Sequence, residues 1–146
     1  MPNGAGGGGG GGIVGVGNSF TGTASAIELV GDHCYAYSGV GSATSSTEFT
    51  GLSFTTGNYY SVCRIYTLYD ASDLTGGNEF GYRFEMNGTT IAFTRREASV
   101  SDIVDAPLPA YVDIIIPAYT EFAATGFNNG SGVDMSFQLT GRIYRG

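Results

Sequence analysis

Few residues in this 146-residue chain have side chains suited to catalysis or ligand coordination. There is one histidine, His33, so a metal centre built from several imidazoles is excluded and a proton relay would rest on it alone. It stands beside Asp32 at a strand start, the position of a rim residue. Paired carboxylates are the remaining route to hydrolysis. Asp70 and Asp73 share one loop, and Asp102 and Asp105 share another. Two carboxylates three apart suit a glycosidase or a Ca2+ site, yet neither loop has the ligand spacing of an EF-hand. Acidic residues in loops also serve as solvated turn formers, and that is the expectation for both pairs. No G-x-S-x-G, H-E-x-x-H or P-loop pattern occurs. Cys34 and Cys63 lie in strand-like runs and are expected as buried, reduced small hydrophobes, with a Cys34–Cys63 bridge as the alternative. These residues predict no catalytic, cofactor-binding or metal-binding set, and no enzyme.

The tyrosines are more suggestive. There are ten, and Tyr35, Tyr37, Tyr59, Tyr60, Tyr66 and Tyr69 fall within one third of the chain. Tyrosine buries a large ring and keeps a polar tip, which suits protein interfaces and also stacking on glycans. Charged residues make up only 13% of the chain, about half the usual ~25%. A surface so poor in charge resembles an interface, and Tyr35, Tyr37, Tyr59, Tyr60, Arg64 and Tyr66 are the candidate subunit contacts. Arg64 runs in phase with Val62, Tyr66 and Leu68, as an arginine stacked among tyrosines at a sheet rim or subunit contact. All six positive charges are arginine, and the net charge is −7 with a pI near 4.3. That balance argues against nucleic acid as a partner, because phosphate binding needs clustered Lys and Arg. No apolar run approaches the ~18 residues of a membrane span. The start Met-Pro-Asn lacks a basic stretch followed by an apolar one, so folding in a cytosol is expected.

Positioning these residues requires strands. Glu79 to Arg95 is a β-hairpin with its turn written into it: Phe80, Tyr82, Phe84 and Met86 alternate with Gly81, Arg83 and Glu85. Asn87-Gly88 is the pair best suited to a type I′ turn. A two-residue turn sets Met86 against Thr89, Phe84 against Ile91 and Tyr82 against Phe93. Such a hairpin needs a second sheet to cover it. Before it, strands are expected at Ala26–Val30, at His33–Ser38 with Cys34 and Ala36 on one face, at Phe49–Thr55 and at Tyr59–Tyr69. Gly39–Thr47 reads as a loop and Asp70–Asn78 as a turn region. Glu97–Ala110 lacks a clear period and is expected as a crossing loop, with at most a helical turn around Ser101–Val104. Tyr111–Ile116, Tyr119–Thr125 and a long last strand from Val133 follow, with Gly141 marking a bulge or a close approach of backbone. Eight or nine strands, with turn signals every ~8–12 residues, predict an all-β antiparallel β-sandwich, specifically a jelly roll, over residues 20–146.

Residues 1–19 form a Gly-rich N-terminal arm. Gly6, Gly7, Gly8, Gly9, Gly10, Gly11 and Gly12 run unbroken, and Ile13, Val14 and Val16 follow them. With nothing to bury and the largest backbone entropy to lose, this segment is expected to be ordered only by another chain. It is no phosphate loop, since no strand precedes it and no helix follows.

Five segments carry a family likeness: Gly31-Asp32-His33-Cys34-Tyr35-Ala36-Tyr37-Ser38-Gly39, Glu48-Phe49-Thr50, Phe54-Thr55-Thr56-Gly57, Ile115-Ile116-Pro117-Ala118-Tyr119-Thr120-Glu121 and Thr140-Gly141-Arg142-Ile143-Tyr144. Spanning about Ile27 to Tyr144, the chain resembles small uncharacterised virion proteins of tailed bacteriophages. Ala118 stands where the family pattern has a second proline. The resemblance implies a jelly-roll particle component, on the capsid exterior as a decoration or cement protein. Its motifs are structural and transfer no site. The implied location is the virion, assembled in the host cytoplasm. The implied partners are its own copies, as a trimer, and the major capsid protein or another virion protein. The arm residues Gly6 to Val16 would do the anchoring. Two alternatives follow from the residues. One is a glycan- or receptor-binding module of a head or tail fibre, with Asn128–Asp134 as a rim. The other is a self-assembling coat or filament subunit.

Overall fold

A computed structural model describes residues 24–100, 103–104 and 110–145. The arm residues Gly6–Val16 lie outside the described residues, as do Asp102 and Asp105. Among the described residues there are eleven strands: β1 (Glu28–Val30), β2 (His33–Tyr37), β3 (Gly41–Ala43), β4 (Phe49–Thr55), β5 (Tyr60–Tyr69), β6 (Glu79–Met86), β7 (Thr89–Val100), β8 (Ile103–Val104), β9 (Tyr111–Ile116), β10 (Glu121–Asn128) and β11 (Val133–Tyr144). The count exceeds the expected eight or nine because backbone pairing recruits segments with no β-forming pattern. β3 lies in the stretch expected as a loop and pairs with β11, burying Ala43. β7 runs on to Val100 and β8 pairs with it, so Ile103–Val104 is strand and not the expected helical turn. A 3-10 turn at Ala71–Asp73 interrupts the strands and is capped by Asp70, whose carboxylate accepts from Ser72 N.

The strands make two sheets, one ordered β1-β2-β11-β5-β9 with β3 also on β11, the other ordered β4-β10-β6-β7-β8. Every ladder between named strands is antiparallel. Among the eight longer strands the pairing is nested. The first pairs with the last (β2 with β11), the second with the seventh (β4 with β10), the third with the sixth (β5 with β9) and the middle two with each other (β6 with β7). Two further ladders, β11 with β5 and β10 with β6, close that ribbon into sheets.

The inner faces of both sheets share one core. Leu52, Phe80, Phe84 and Phe122 from one sheet meet Cys34, Ile65, Phe137 and Leu139 from the other, all with 3% exposure or less. Phe137 touches across, with its ring 6.3 Å from those of Phe49 and Phe84, and Tyr69 meets Phe80 at 4.9 Å. Burying each such ring contributes roughly 1.5–3 kcal/mol. Gly51 permits the approach: a Cβ there would lie 2.5 Å from the Phe137 ring.

The hairpin turns as its sequence predicts, with Asn87 at φ 51° and Gly88 at φ 79°, but its register departs from the expected one. Met86 does face Thr89. One step on, the ladder slips between Glu85 and Phe84, so Phe84 faces Ala92 and Tyr82 faces Thr94. Ile91 is the extra residue of a bulge, which turns Ile91 and Phe93 outward (43% and 57% exposed). The space beneath is already filled by Phe80, Tyr82, Phe84 and Phe122, and the smaller Ala92 and Thr94 suit it better. Phe93 instead stacks outside on Phe127, centroids 5.3 Å apart and 4° from parallel.

Candidate functional site

Strand β5 alternates without a break: Ser61, Cys63, Ile65 and Thr67 are buried, while Tyr60, Val62, Arg64, Tyr66 and Leu68 face out. The neighbouring strands repeat the alternation in register. On β9, Tyr111 sits opposite Tyr66, Asp113 opposite Arg64 and Ile115 opposite Val62. On β11, Tyr144 pairs with Tyr60, Thr140 with Arg64 and Gln138 with Tyr66. On β2, Tyr37 lies beside Gln138 and Tyr35 beside Thr140. The outer face of the six-stranded sheet is therefore a field of aromatic and aliphatic side chains crossed by a few polar ones. Ile115 and Leu68 are 60% and 55% exposed.

Ring contacts organise this face. Tyr60 stacks on Tyr144 at 5.1 Å, and Tyr66 meets Tyr111 at 5.9 Å. The Arg64 guanidinium lies 3.9 Å above the Tyr111 ring while holding Asp113 in a bidentate pair, Nε–Oδ1 2.8 Å and Nη2–Oδ2 3.1 Å. A planar guanidinium can stack and fork at once, which a lysine cannot do. The hydrogen bond from Arg64 holds the Asp113 carboxyl below the usual range. At the β1–β2 turn, Asp32 pairs with Arg142 and with His33, whose Nδ1 is 2.9 Å away. The hydrogen bond from Arg142 lowers its pKa in the same way. Glu28, Asp32, Asp113 and Asp134 against Arg64 and Arg142 leave this face mildly acidic, with the Arg64–Asp113 pair neutral at its centre, on a chain of net charge −7.

The five-stranded sheet presents a different outer face. Arg83 clamps Glu48 through both Nη atoms (2.9 and 2.7 Å) and reaches Glu85 through Nε (3.0 Å), and Arg95 pairs with Glu79. Thr50 and Thr125 bond side chain to side chain at 3.2 Å.

Five of the six tyrosine and arginine contact candidates, Tyr35, Tyr37, Tyr60, Arg64 and Tyr66, thus share one face. Tyr59 does not join them. It precedes β5 in the opposite phase and packs partly buried against the core, where burial pushes its phenol up. Val30, Leu68, Tyr111, Ile115 and Tyr144 belong to the face but were not singled out in the sequence. The signal was available only in part: Ile114-Ile115-Ile116 reads as a strand buried on both faces, whereas Ile115 is exposed.

The other candidates for chemistry have structural duties. Asp70 caps the 3-10 turn, and the Asp73 carboxylate accepts from Asp134 N at 3.0 Å. Asn128, expected on a glycan-binding rim, is buried. Its amide donates to the carbonyls of Ser131 and Ala43, and its oxygen accepts from Gly130 N, so it staples the β10–β11 turn. Cys34 and Cys63 are free thiols, with Sγ atoms 3.8 Å apart. Among the described residues, no group of three His, Cys, Asp or Glu side chains is placed to hold a metal ion, and no helix is long and apolar enough to cross a membrane. Compared with models of protein families and with curated proteins, the chain matches none.

Proposed function

We propose that this protein is a structural component of a tailed-phage virion: a capsid decoration or cement protein that binds the outer shell as a symmetric oligomer, a trimer. The observation that carries the reading is the outer face of the six-stranded sheet. Across β11, β5 and β9, at ~4.8 Å per strand and about 20 Å along them, it covers roughly 300 Å2 in projection, within the ~300–600 Å2 of the largest patch on a typical monomer, which is often functional. At its centre the charges of Arg64 and Asp113 cancel, which lets copies of an acidic chain meet there with little repulsion. Val62, Arg64, Tyr66, Tyr111 and Ile115 form the centre of the proposed subunit contact.

The body of such a component would be a jelly roll, and the nested pairing of eight strands supports that: rolling up one long antiparallel ribbon produces this ladder set. The arm residues Gly6 to Val16 would reach onto the shell. Each oligomer then adds buried area across shell subunit boundaries and stabilises the assembled state by mass action.

The test is the mass of the full-length recombinant chain by light scattering after size exclusion. A trimer is expected, falling to monomer in Ile115→Asp with unchanged circular dichroism. A wild-type monomer at tens of micromolar would sink the oligomer proposal, and open-ended polymers would favour a self-assembling coat subunit. On purified capsids the full chain should be retained and a chain lacking residues 1–12 lost.

A further inference from the structure

The same sheet face carries a second feature at its β2 side. A cleft of about 650 Å3 opens there between the chain entering at Ala24–Ala26 and strands β2 and β11. That volume lies within the ~300–1,000 Å3 of small-ligand sites. Its aromatic surface is Tyr35 and Tyr37, 43% and 41% exposed and two residues apart on one strand, hence about 7 Å apart along it. Three polar side chains stand among the rings in fixed register. Glu28 and Thr140 flank Tyr35 on either side, and Gln138 lies beside Tyr37. Among the described residues, Glu28, Thr140 and Gln138 make no side-chain hydrogen bond, so their capacity is open to a ligand.

The combination selects a chemical class. A carboxylate only accepts, a hydroxyl does both, and a primary amide donates and accepts at fixed angles. Sugar hydroxyls are themselves both donors and acceptors, and the C–H face of a pyranose ring is apolar and flat, matched to a tyrosine ring. Glu28 and the surplus negative charge of the chain repel sialic and uronic acids.

We propose that this cleft binds a neutral oligosaccharide. Tyr35 and Tyr37 supply the stacking surface, and Gln138, Thr140 and Glu28 bond the ring hydroxyls. Both tyrosines then lie outside the subunit contact, which centres on β5 and β9. The cleft would let a particle component adhere to a glycan-coated surface, and its ligand binding does not require the particle reading.

The experiment uses the full recombinant chain on an array of neutral and acidic oligosaccharides, followed by titration of the best neutral one by saturation-transfer NMR. Retention of neutral hexose or N-acetylhexosamine oligomers, and not of acidic ones, is expected. Tyr35→Ala and Gln138→Ala should each weaken binding roughly tenfold or more, with circular dichroism unchanged. An array with no neutral glycan retained, retention of acidic glycans only, or binding that survives both substitutions overturns the proposal. So does retention of an extended peptide in place of sugars, since a peptide would be adding a strand at the exposed β1 edge. Light scattering of the same samples separates the two claims: a monomer that binds sugar removes the oligomer, and a trimer with an empty array removes the cleft.

Discussion

At the residue scale, Gly141 does more to shape the six-stranded sheet than any side chain near it. It lies on the inner face of β11, paired with Cys34 of β2 on one side and Cys63 of β5 on the other, with no slip in either ladder. The expected alternatives were a bulge or a close approach, and the approach is what forms. The missing side chain lets the two thiols meet above it at 3.8 Å. Contact with Cys63 and burial together keep Cys34 protonated, its pKa pushed well up. The bridge alternative fails on distance. Two strand spacings separate the Cα atoms by roughly 9.6 Å, whereas disulfides span about 4.4–6.8 Å. A Cβ at position 141 would lie 2.3 Å from the Val62 carbonyl oxygen and 2.8 Å from Cys63 Sγ. The carbonyl cannot yield without breaking the ladder, so Gly141→Ala should destabilise by about 1–3 kcal/mol. Urea unfolding followed by circular dichroism measures it, and a variant as stable as the wild type would contradict the crowding. The strand positions of both cysteines were legible in the sequence. Their meeting was not, because it runs through a third strand more than seventy residues away in the chain.

At the scale of elements, local chemistry was readable and register was not. Asn87-Gly88 specified its turn because both residues must take positive φ, and few pairs tolerate that. Asn87 also ties the hairpin to the next strand: its N–H donates to Glu121 O (2.8 Å) and its side-chain oxygen accepts from Glu121 N (2.9 Å). Asn87→Ala therefore loses a hydrogen bond and gains left-handed strain, about 2–3 kcal/mol in all. Gly88→Ala, with open space around its Cβ, pays only the strain, about 1–2 kcal/mol. Thermal unfolding should rank them in that order, and the reverse order would mean that the Asn87 side-chain bond to Glu121 contributes nothing. The bulge at Ile91 escaped because each strand keeps its own period of two on either side of it; only the ladder between them records the slip. The aromatic face of the six-stranded sheet was legible residue by residue from the alternation of β2 and β5. Its extent was not, because Tyr111, Ile115 and Tyr144 come from strands whose neighbours only the fold decides.

Across the whole molecule, ion pairing and the surplus of acid set the response to pH. Glu48, Asp32 and Asp113 are held below their ordinary values by hydrogen bonds from Arg83, Arg142 and Arg64, and Asp70 by Ser72. A carboxyl depressed in the folded state binds its proton less tightly there than in the unfolded chain. Its stabilisation is complete above the ordinary values of 3.8 for Asp and 4.5 for Glu, and it is lost as pH falls through the lower folded values. Mild acid first neutralises unpaired carboxylates on a chain of net charge −7, which relieves repulsion and offsets part of that loss. Stability should thus change little from pH 7 to pH 5 and fall steeply below about pH 4. Most of these pairs are exposed and contribute little each. Arg83 is the exception, with a side chain only 26% exposed and two carboxylates on it. Arg83→Met keeps its packing and removes the charge, leaving Glu48 and Glu85 facing each other across the gap. The urea midpoint of the variant should lie below that of the wild type at pH 7. As pH falls through the lowered folded value of Glu48, the two midpoints should converge. A gap that stays constant from pH 7 down to acid unfolding would show that Arg83 acts through its packing alone.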